Sequence, residues 1–226
     1  MKIRDGLMRW SRLRSRRAPP IVGQNLGMTS PGLRERKKQK TRWAIQEHAL
    51  RLIAEQGYDA TTVDQIAAAA EISPSTFFRY FPTKEDLIIE DEYDALMLDE
   101  LSKMDPAVPP LEAARRVIVG ALGSMSQHDV EKIIERSKLI LAVPALRSRS
   151  LENFTKTVDL LAGVMAQRTG LAPDSVEIRA FSGAVIGALT SVIFTWLESG
   201  GVENLAELAD RAFVLVAAGL PLDAAS

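Results

Sequence analysis

Thr62-Val63-Asp64-Gln65-Ile66-Ala67-Ala68-Ala69-Ala70-Glu71-Ile72-Ser73-Pro74-Ser75-Thr76-Phe77-Phe78-Arg79-Tyr80-Phe81 is the stretch on which the reading of this chain turns. Thr62 followed three residues later by Gln65 is a capping-box pattern. It opens a short helix through Ala70 with Val63, Ile66 and Ala67 facing inward. Ser73 then caps a second helix, and Pro74 stands at the first helical position, where a missing N–H costs nothing. That second helix is only two turns long. Phe77 and Phe81, four apart, are the apolar pair expected to hold it on its neighbours. Two short helices joined by a tight turn form a helix-turn-helix, here at about 62–81. In such a unit the second helix enters the major groove of double-stranded DNA, its N-terminal residues facing base edges and phosphates. Ser73, Ser75 and Thr76 at its start, with Arg79 and Tyr80 one turn later, are the residue types that role needs.

Upstream, from Arg34 onward, Ala44 and Ile45, Ala49, and Leu52 and Ile53 mark one face of a helix that stops at Gly57, and its leading turns are basic. Downstream, Thr83 opens a fourth helix after Pro82. Helices are expected at about 83–103, 110–127, 129–142, 145–169, 174–199 and 202–219. Pro106, Pro109-Pro110, Pro144, Gly170 with Pro173, and Gly200-Gly201 separate them. Alternating strand patterns are missing. The fold class is therefore all-α, a three-helix DNA-binding head at 33–86 joined to a larger helical domain at 87–226. Residues 1–32 show no sustained period and carry Pro19-Pro20, Gly23, Gly27, Pro31 and Gly32, so a disordered basic extension is expected there. The ordered pattern starts soon after Met28, which makes that residue an alternative translation start.

Charge is divided along the chain. Residues 1–42 carry 13 Lys and Arg against Asp5 and Glu35, a net +11, whereas the rest carries 15 basic and 27 acidic residues, a net −12. A basic end on an acidic body suits a protein that meets a polyanion with one end only. There is no cysteine, and His48 and His128 are the only histidines, so no metal site, cofactor or thiol chemistry is expected. Glu90, Asp91, Glu92 and Asp94 run around a helix as a solvated face, with no nucleophile or phosphate loop beside them. An enzyme is not expected. Arg12, Arg14, Arg16 and Arg17 interrupt any apolar leader, so a cytoplasmic location is expected. The 18 uncharged residues Ala180 to Leu197 reach the length of a membrane span. Ser182, Thr190, Ser191 and Thr195 interrupt them, Glu177 and Glu198 sit close to their ends and no basic flank marks a cytoplasmic side, so the segment reads instead as a helix covered by its own subunit and by a second copy. Gly183 and Gly187 would allow close approach.

The run from Thr41 to Ile88 closely resembles the DNA-binding domain of TetR-family regulators. It joins Glu55-Gln56-Gly57-Tyr58, Thr61-Thr62-Val63-Asp64-Gln65-Ile66-Ala67 and Ser73-Pro74-Ser75-Thr76-Phe77-Phe78-Arg79-Tyr80-Phe81-Pro82-Thr83-Lys84-Glu85-Asp86-Leu87 in order. The resemblance implies that Thr62 bonds a phosphate, that Ser73, Ser75, Thr76, Arg79 and Tyr80 are recognition-helix contacts, and that Lys84 reaches backbone phosphate from the fourth helix. It also implies that Arg36 and Lys40 belong to a basic lead-in. Phe78 stands where the family commonly has a tyrosine that touches phosphate, and Glu71 occupies a turn position where glycine is frequent. Arg136 with Leu139-Ile140-Leu141, Val143-Pro144-Ala145-Leu146-Arg147 and Ala180-Phe181-Ser182-Gly183-Ala184 look like the subgroup with an acyl-CoA-like ligand-binding domain, which includes mycofactocin-system regulators. That likeness implies a homodimeric repressor released by a lipophilic or acyl-CoA effector. Arg136 or Arg147 would then meet anionic groups, with ion pairing as the alternative. Met97, Leu101, Met125, Phe154, Met165 and Phe181 are large, apolar and on helices able to converge, so they are candidate pocket residues or plain core. The rival to a regulator is a non-catalytic helical adaptor without operator specificity.

Overall fold

The computed structural model describes residues 33–90 and 92–221. The expectations for residues 1–32 lie outside the described residues. The described residues fall into two units that divide between Lys40 and Thr41. The described part of the first is helical, with Lys37, Lys38 and Lys40 exposed.

Ten helices and no strand occur among the described residues: α1 Leu33–Gln56, α2 Val63–Ala69, α3 Pro74–Tyr80, α4 Lys84–Ile89, α5 Glu92–Lys103, α6 Pro110–Gly123, α7 Gln127–Ala142, α8 Pro144–Thr169, α9 Val176–Glu198 and α10 Leu205–Ala217. The all-α expectation holds. Ile45, Ala49, Leu50 and Ile53 form the buried stripe of α1. The helix ends at Gly57, whose φ of +87° suits a residue without Cβ. Thr62 and Gln65 make both halves of the capping box at the start of α2. Ser73 caps α3 with Pro74 at the first position, and Thr83 caps α4.

Between α2 and α3 the chain turns in a Schellman arrangement. The N–H of Ile72 reaches Ala67 O at 2.9 Å and that of Glu71 reaches Ala68 O at 3.1 Å. Glu71 holds the left-handed position with φ +54°. The turn keeps its geometry despite a side chain where glycine would be unstrained.

One expectation fails. The helix expected over 83–103 is broken at Glu90, which has extended backbone (φ −71°, ψ 124°), so that α4 and α5 are separate. No glycine or proline marks the break. Its cause is competition for carbonyls. Gln46 Nε2 donates to Leu87 O at 3.0 Å and to Glu90 O at 3.1 Å. Arg136 donates from Nε to Ile88 O at 2.9 Å and from Nη2 to Ile89 O at 3.3 Å. Side chains from α1 and α7 thus satisfy the end of α4 from outside, as helix termini require.

Two apolar clusters result. The first joins α1 to α4 through Ile45, Ile66, Phe77, Phe81, Leu87 and Ile88 and takes in Leu146 of α8. The second lies in the body, where Ala113, Ala114, Leu161, Met165, Val185 and Phe213 knit α6, α8, α9 and α10. Arg168 closes the end of α5 in the manner of Arg136, donating to Met104 O at 2.6 Å, Asp105 O at 3.0 Å and Val108 O at 3.1 Å. The helix α9, uncharged from Ala180 to Leu197, buries Ile178, Ser182, Val185 and Trp196 against its own chain. By length and composition alone it could cross a membrane, and only 17% of its apolar window is buried by this chain. The stripe of Gly183, Gly187 and Phe194 lies open: a Cβ added at either glycine meets no atom within 4 Å, and Phe194 is exposed.

A left-handed backbone costs an L side chain about 1–2 kcal/mol, and glycine's extra freedom in the unfolded chain gives part of that back. Glu71→Gly should therefore stabilise the protein by about 0.5–1 kcal/mol, and Glu71→Ala should not. Thermal denaturation followed by circular dichroism reads the difference.

Candidate nucleic-acid interface

The outward side of α3 is set by what lies beneath it. Phe77 and Phe81 are both fully buried, their ring centroids 5.9 Å apart. Arg42 of α1 places its guanidinium 4.2 Å from the Phe81 ring, donates to Tyr80 O at 3.0 Å and pairs with Glu90 at 2.5 Å. With the back of the helix fastened, Ser73, Ser75, Phe78 and Arg79 are exposed and Thr76 is half-exposed. Ser73 Oγ accepts from Thr76 N at 3.1 Å, lies 2.9 Å from Ser75 Oγ and donates to Thr76 Oγ1 at 3.0 Å. The hydroxyls thus satisfy one another on a surface open to an incoming acceptor. Arg79 sits with its guanidinium 5.6 Å from the Tyr80 ring, and Tyr80 is half-buried against the head core.

Thr62, exposed, is occupied locally: its N–H donates to Gln65 Oε1 at 2.9 Å and its Oγ1 accepts from Gln65 N at 3.2 Å. Lys84 is half-buried. Its ammonium donates to Tyr58 O at 2.9 Å and Thr61 O at 3.1 Å and rests 3.9 Å from the Tyr58 ring centroid. Lys84 thereby binds the start of α4 to the turn after α1, leaving one of its three protons for an outside acceptor. Lys40 is exposed on α1, and the side chain of Arg36 lies outside the described residues.

The Tyr58 hydroxyl donates to Glu85 at 2.5 Å in the same corner. Burial, then the Glu85 hydrogen bond and negative charge, push the Tyr58 phenol above its ordinary value. Burial pulls Glu85 upward as well, but the bond from Tyr58, hydrogen bonds at the α4 N-terminus and the Lys84 charge outweigh it and hold the carboxyl below the ordinary glutamate value.

The junction with the body carries residues that the sequence did not single out. Asp86 of α4, 3% exposed, accepts from Arg149 of α8 at 2.9 and 2.8 Å through Oδ1, and its Oδ2 is buried with no hydrogen-bond partner. Glu90, expected on a solvated helix face, is instead an extended residue only 24% exposed, 3.3 Å from Lys156 of α8 and paired with Arg42, because the chain leaves the helix there. Asp86 and Glu85 are neighbouring carboxylates in the first turn of α4, and nothing local in sequence distinguishes the two.

In the body an apolar cavity of about 40 Å³ lies between α5, α6, α8 and α9. Met97 and Leu101 line it, with Asp94 and Thr157 as the polar groups on its wall. Of the other pocket candidates, Met165 is buried in the surrounding core and Phe181 packs against it, whereas Met125 and Phe154 are half-buried and do not line the cavity. Arg136 does not reach it either, because its guanidinium is committed to the carbonyls of α4. Arg147 is exposed and donates to Leu141 O at 2.8 Å.

A fastened helix-turn-helix with its second helix turned outward, set on a larger helical body, defines the class of helix-turn-helix regulators. Comparison with known proteins narrows the class. Residues 45–90 match the bacterial regulatory proteins of the tetR family, and residues 108–221 match the MftR C-terminal domain. The regulator TcmR of Streptomyces glaucescens is 32% identical over 170 residues, spanning 72% of this chain and 75% of TcmR. The mycofactocin biosynthesis transcriptional regulator MftR of Mycobacterium tuberculosis is 26% identical over 187 residues, spanning 82% of this chain and 93% of MftR. The fold is similar to that of FadR from Bacillus subtilis, solved with stearoyl-CoA, at a TM-score of 0.53 and 20% identity over 79% of this chain and 99% of FadR. This chain belongs to the TetR family of transcriptional regulators, which are DNA-binding proteins and not enzymes.

The Tyr58–Glu85 pair fixes a pH window. A raised phenol contributes stability that is full below the ordinary tyrosine value of 10.0 and is lost above it. A lowered carboxyl contributes stability that is full above its ordinary value of 4.5 and is lost as pH falls through the folded value. Urea midpoints measured against pH should decline on both sides, and Tyr58→Phe should flatten the alkaline limb.

Proposed function

We propose that this chain is a cytoplasmic, homodimeric repressor that grips a palindromic operator with α3 and leaves it when a lipophilic or acyl-CoA-like effector enters the helical body. The observation that carries the reading is the outward display of Ser75, Thr76 and Arg79 on a helix whose other side is fully buried. Arg79 is the base reader, since a guanidinium meets guanine through two hydrogen bonds. Ser73, Ser75, Thr76 and Tyr80 make the remaining contacts along the groove. Thr62, Lys84, Arg36 and Lys40 meet phosphates, which position the head without reading sequence.

Dimerisation through α9 and α10 is supported by the open stripe on α9 together with the exposed Val214 and Leu215 on α10. Twofold symmetry places two recognition helices in successive major grooves, about 34–36 Å apart. The effector reading is supported by the match to the MftR C-terminal domain and by a cavity with an apolar lining. At about 40 Å³ that cavity has room for a few water molecules, each needing roughly 10–15 Å³. An acyl chain must therefore part the helices that line the cavity. Release then follows if the parted conformer binds the effector better and the operator worse.

Gel-shift titration against the chain's own upstream DNA at low salt tests the operator. Wild type should retard it, and absence of any retarded species refutes the reading. Arg79→Ala should lose about 1–3 kcal/mol on the operator and much less on unrelated duplex. A separate expectation concerns assembly. At Gly187 an added Cβ meets no atom of its own chain within 4 Å, and Gly187→Leu also adds helix propensity. The variant should stay folded yet sediment as a monomer where wild type sediments as a dimer.

A further inference from the structure

Phe78 is 52% exposed on the outward part of α3, and the helix offers it no place inside. The space beneath is filled by Phe77, which meets the Phe78 ring edge-on at 5.5 Å with the planes at 88°. That contact holds the ring in place. Ser75 and Arg79, one turn apart, mark the centre of the exposed face, and Phe78 lies on its flank immediately before Arg79. A phenyl ring neither donates to a phosphate nor gains by approaching one, since desolvating that charge without a hydrogen bond is costly. In the major groove the apolar feature of the base edges is the pyrimidine 5-methyl group, carried by thymine.

We propose that Phe78 reads a pyrimidine 5-methyl group at the base pair beside the one met by Arg79, so that each half-site requires a methylated pyrimidine next to its guanine. The inference rests on the operator reading above and deepens it. Where a tyrosine hydroxyl would spend this position on phosphate, the phenyl ring turns it into a reader of sequence.

The test uses the full-length dimer and an operator obtained by selection from random duplexes. Each half-site thymine is replaced in turn by deoxyuridine, which removes the methyl group and keeps the pairing. Wild type should lose about three- to fivefold affinity per half-site at one position, the effect of one buried methyl-sized group. Replacing that thymine, with its partner, by a 5-methylcytosine–guanine pair should retain more affinity than the cytosine–guanine pair does. Phe78→Ala should bind more weakly and lose the thymine-to-deoxyuridine difference at that position alone, and Phe78→Tyr should keep it. Equal wild-type affinity for every deoxyuridine operator overturns the proposal, as does an undiminished difference in Phe78→Ala. The wild-type measurement decides without reference to how any variant folds. If wild type selects no operator at all, it is the operator reading that fails.

Discussion

The seam between head and body is organised around four carbonyl groups at the end of α4. A helix ending in water leaves such groups to solvent, and a helix that continues fills them from the next turn. Here Gln46 and Arg136 take Leu87, Ile88, Ile89 and Glu90 from two sides. Hydrogen bonds from a charged donor are the stronger kind, so Arg136 both stops α4 and fixes α7 against it. The same few residues carry the ion pairs Asp86–Arg149 and Glu90–Lys156, which fasten α4 to α8. Glu90 also holds Arg42, and Arg42 holds the underside of α3. The posture of the recognition helix and the break between α4 and α5 are therefore two ends of one connected set of contacts.

Asp86 makes this junction costly to disturb. Its carboxylate is nearly fully buried, only one oxygen is paired, and removing Arg149 would strand a charge away from water. A contact of that kind is held or lost as a whole, which suits a joint with two discrete positions better than a continuously flexible one.

Much of this fold was legible because its helix boundaries are local. Thr62 with Gln65, Ser73 with Pro74, and Thr83 each announce a helix start within a few residues, and Phe77 and Phe81 declare the buried side of α3 by their spacing alone. The break at Glu90 was not legible, because the groups that cause it lie 41 to 48 residues away in sequence. The same distance hides Arg136. The resemblance makes it an anion binder, with ion pairing as the alternative, and only the folded chain shows its hydrogen bonds to α4. Lys84 illustrates a partial reading: the resemblance supplies a phosphate contact, whereas the structure adds a bridge to Tyr58 and Thr61 that no spacing rule contains.

The cavity and the open stripe of α9 bear on each other. All four helices around the cavity share the buried core with α10, α5 through Leu101, and α9 keeps a further apolar face uncovered by its own chain. A second copy seated on that face would stiffen the α9 wall by burying it on both sides. The wall with the smallest share in that core is α5, which puts the single buried residue Leu101 there, begins just past the extended residue Glu90 and is held at its far end by Arg168. A molecule large enough to widen 40 Å³ into a binding site would displace α5 most easily at its Glu90 end, where the pairs with Arg42 and Lys156 meet. Dimerisation and effector response would then be mechanically linked, because the rigidity of one wall directs the strain into the other, and from there into the head.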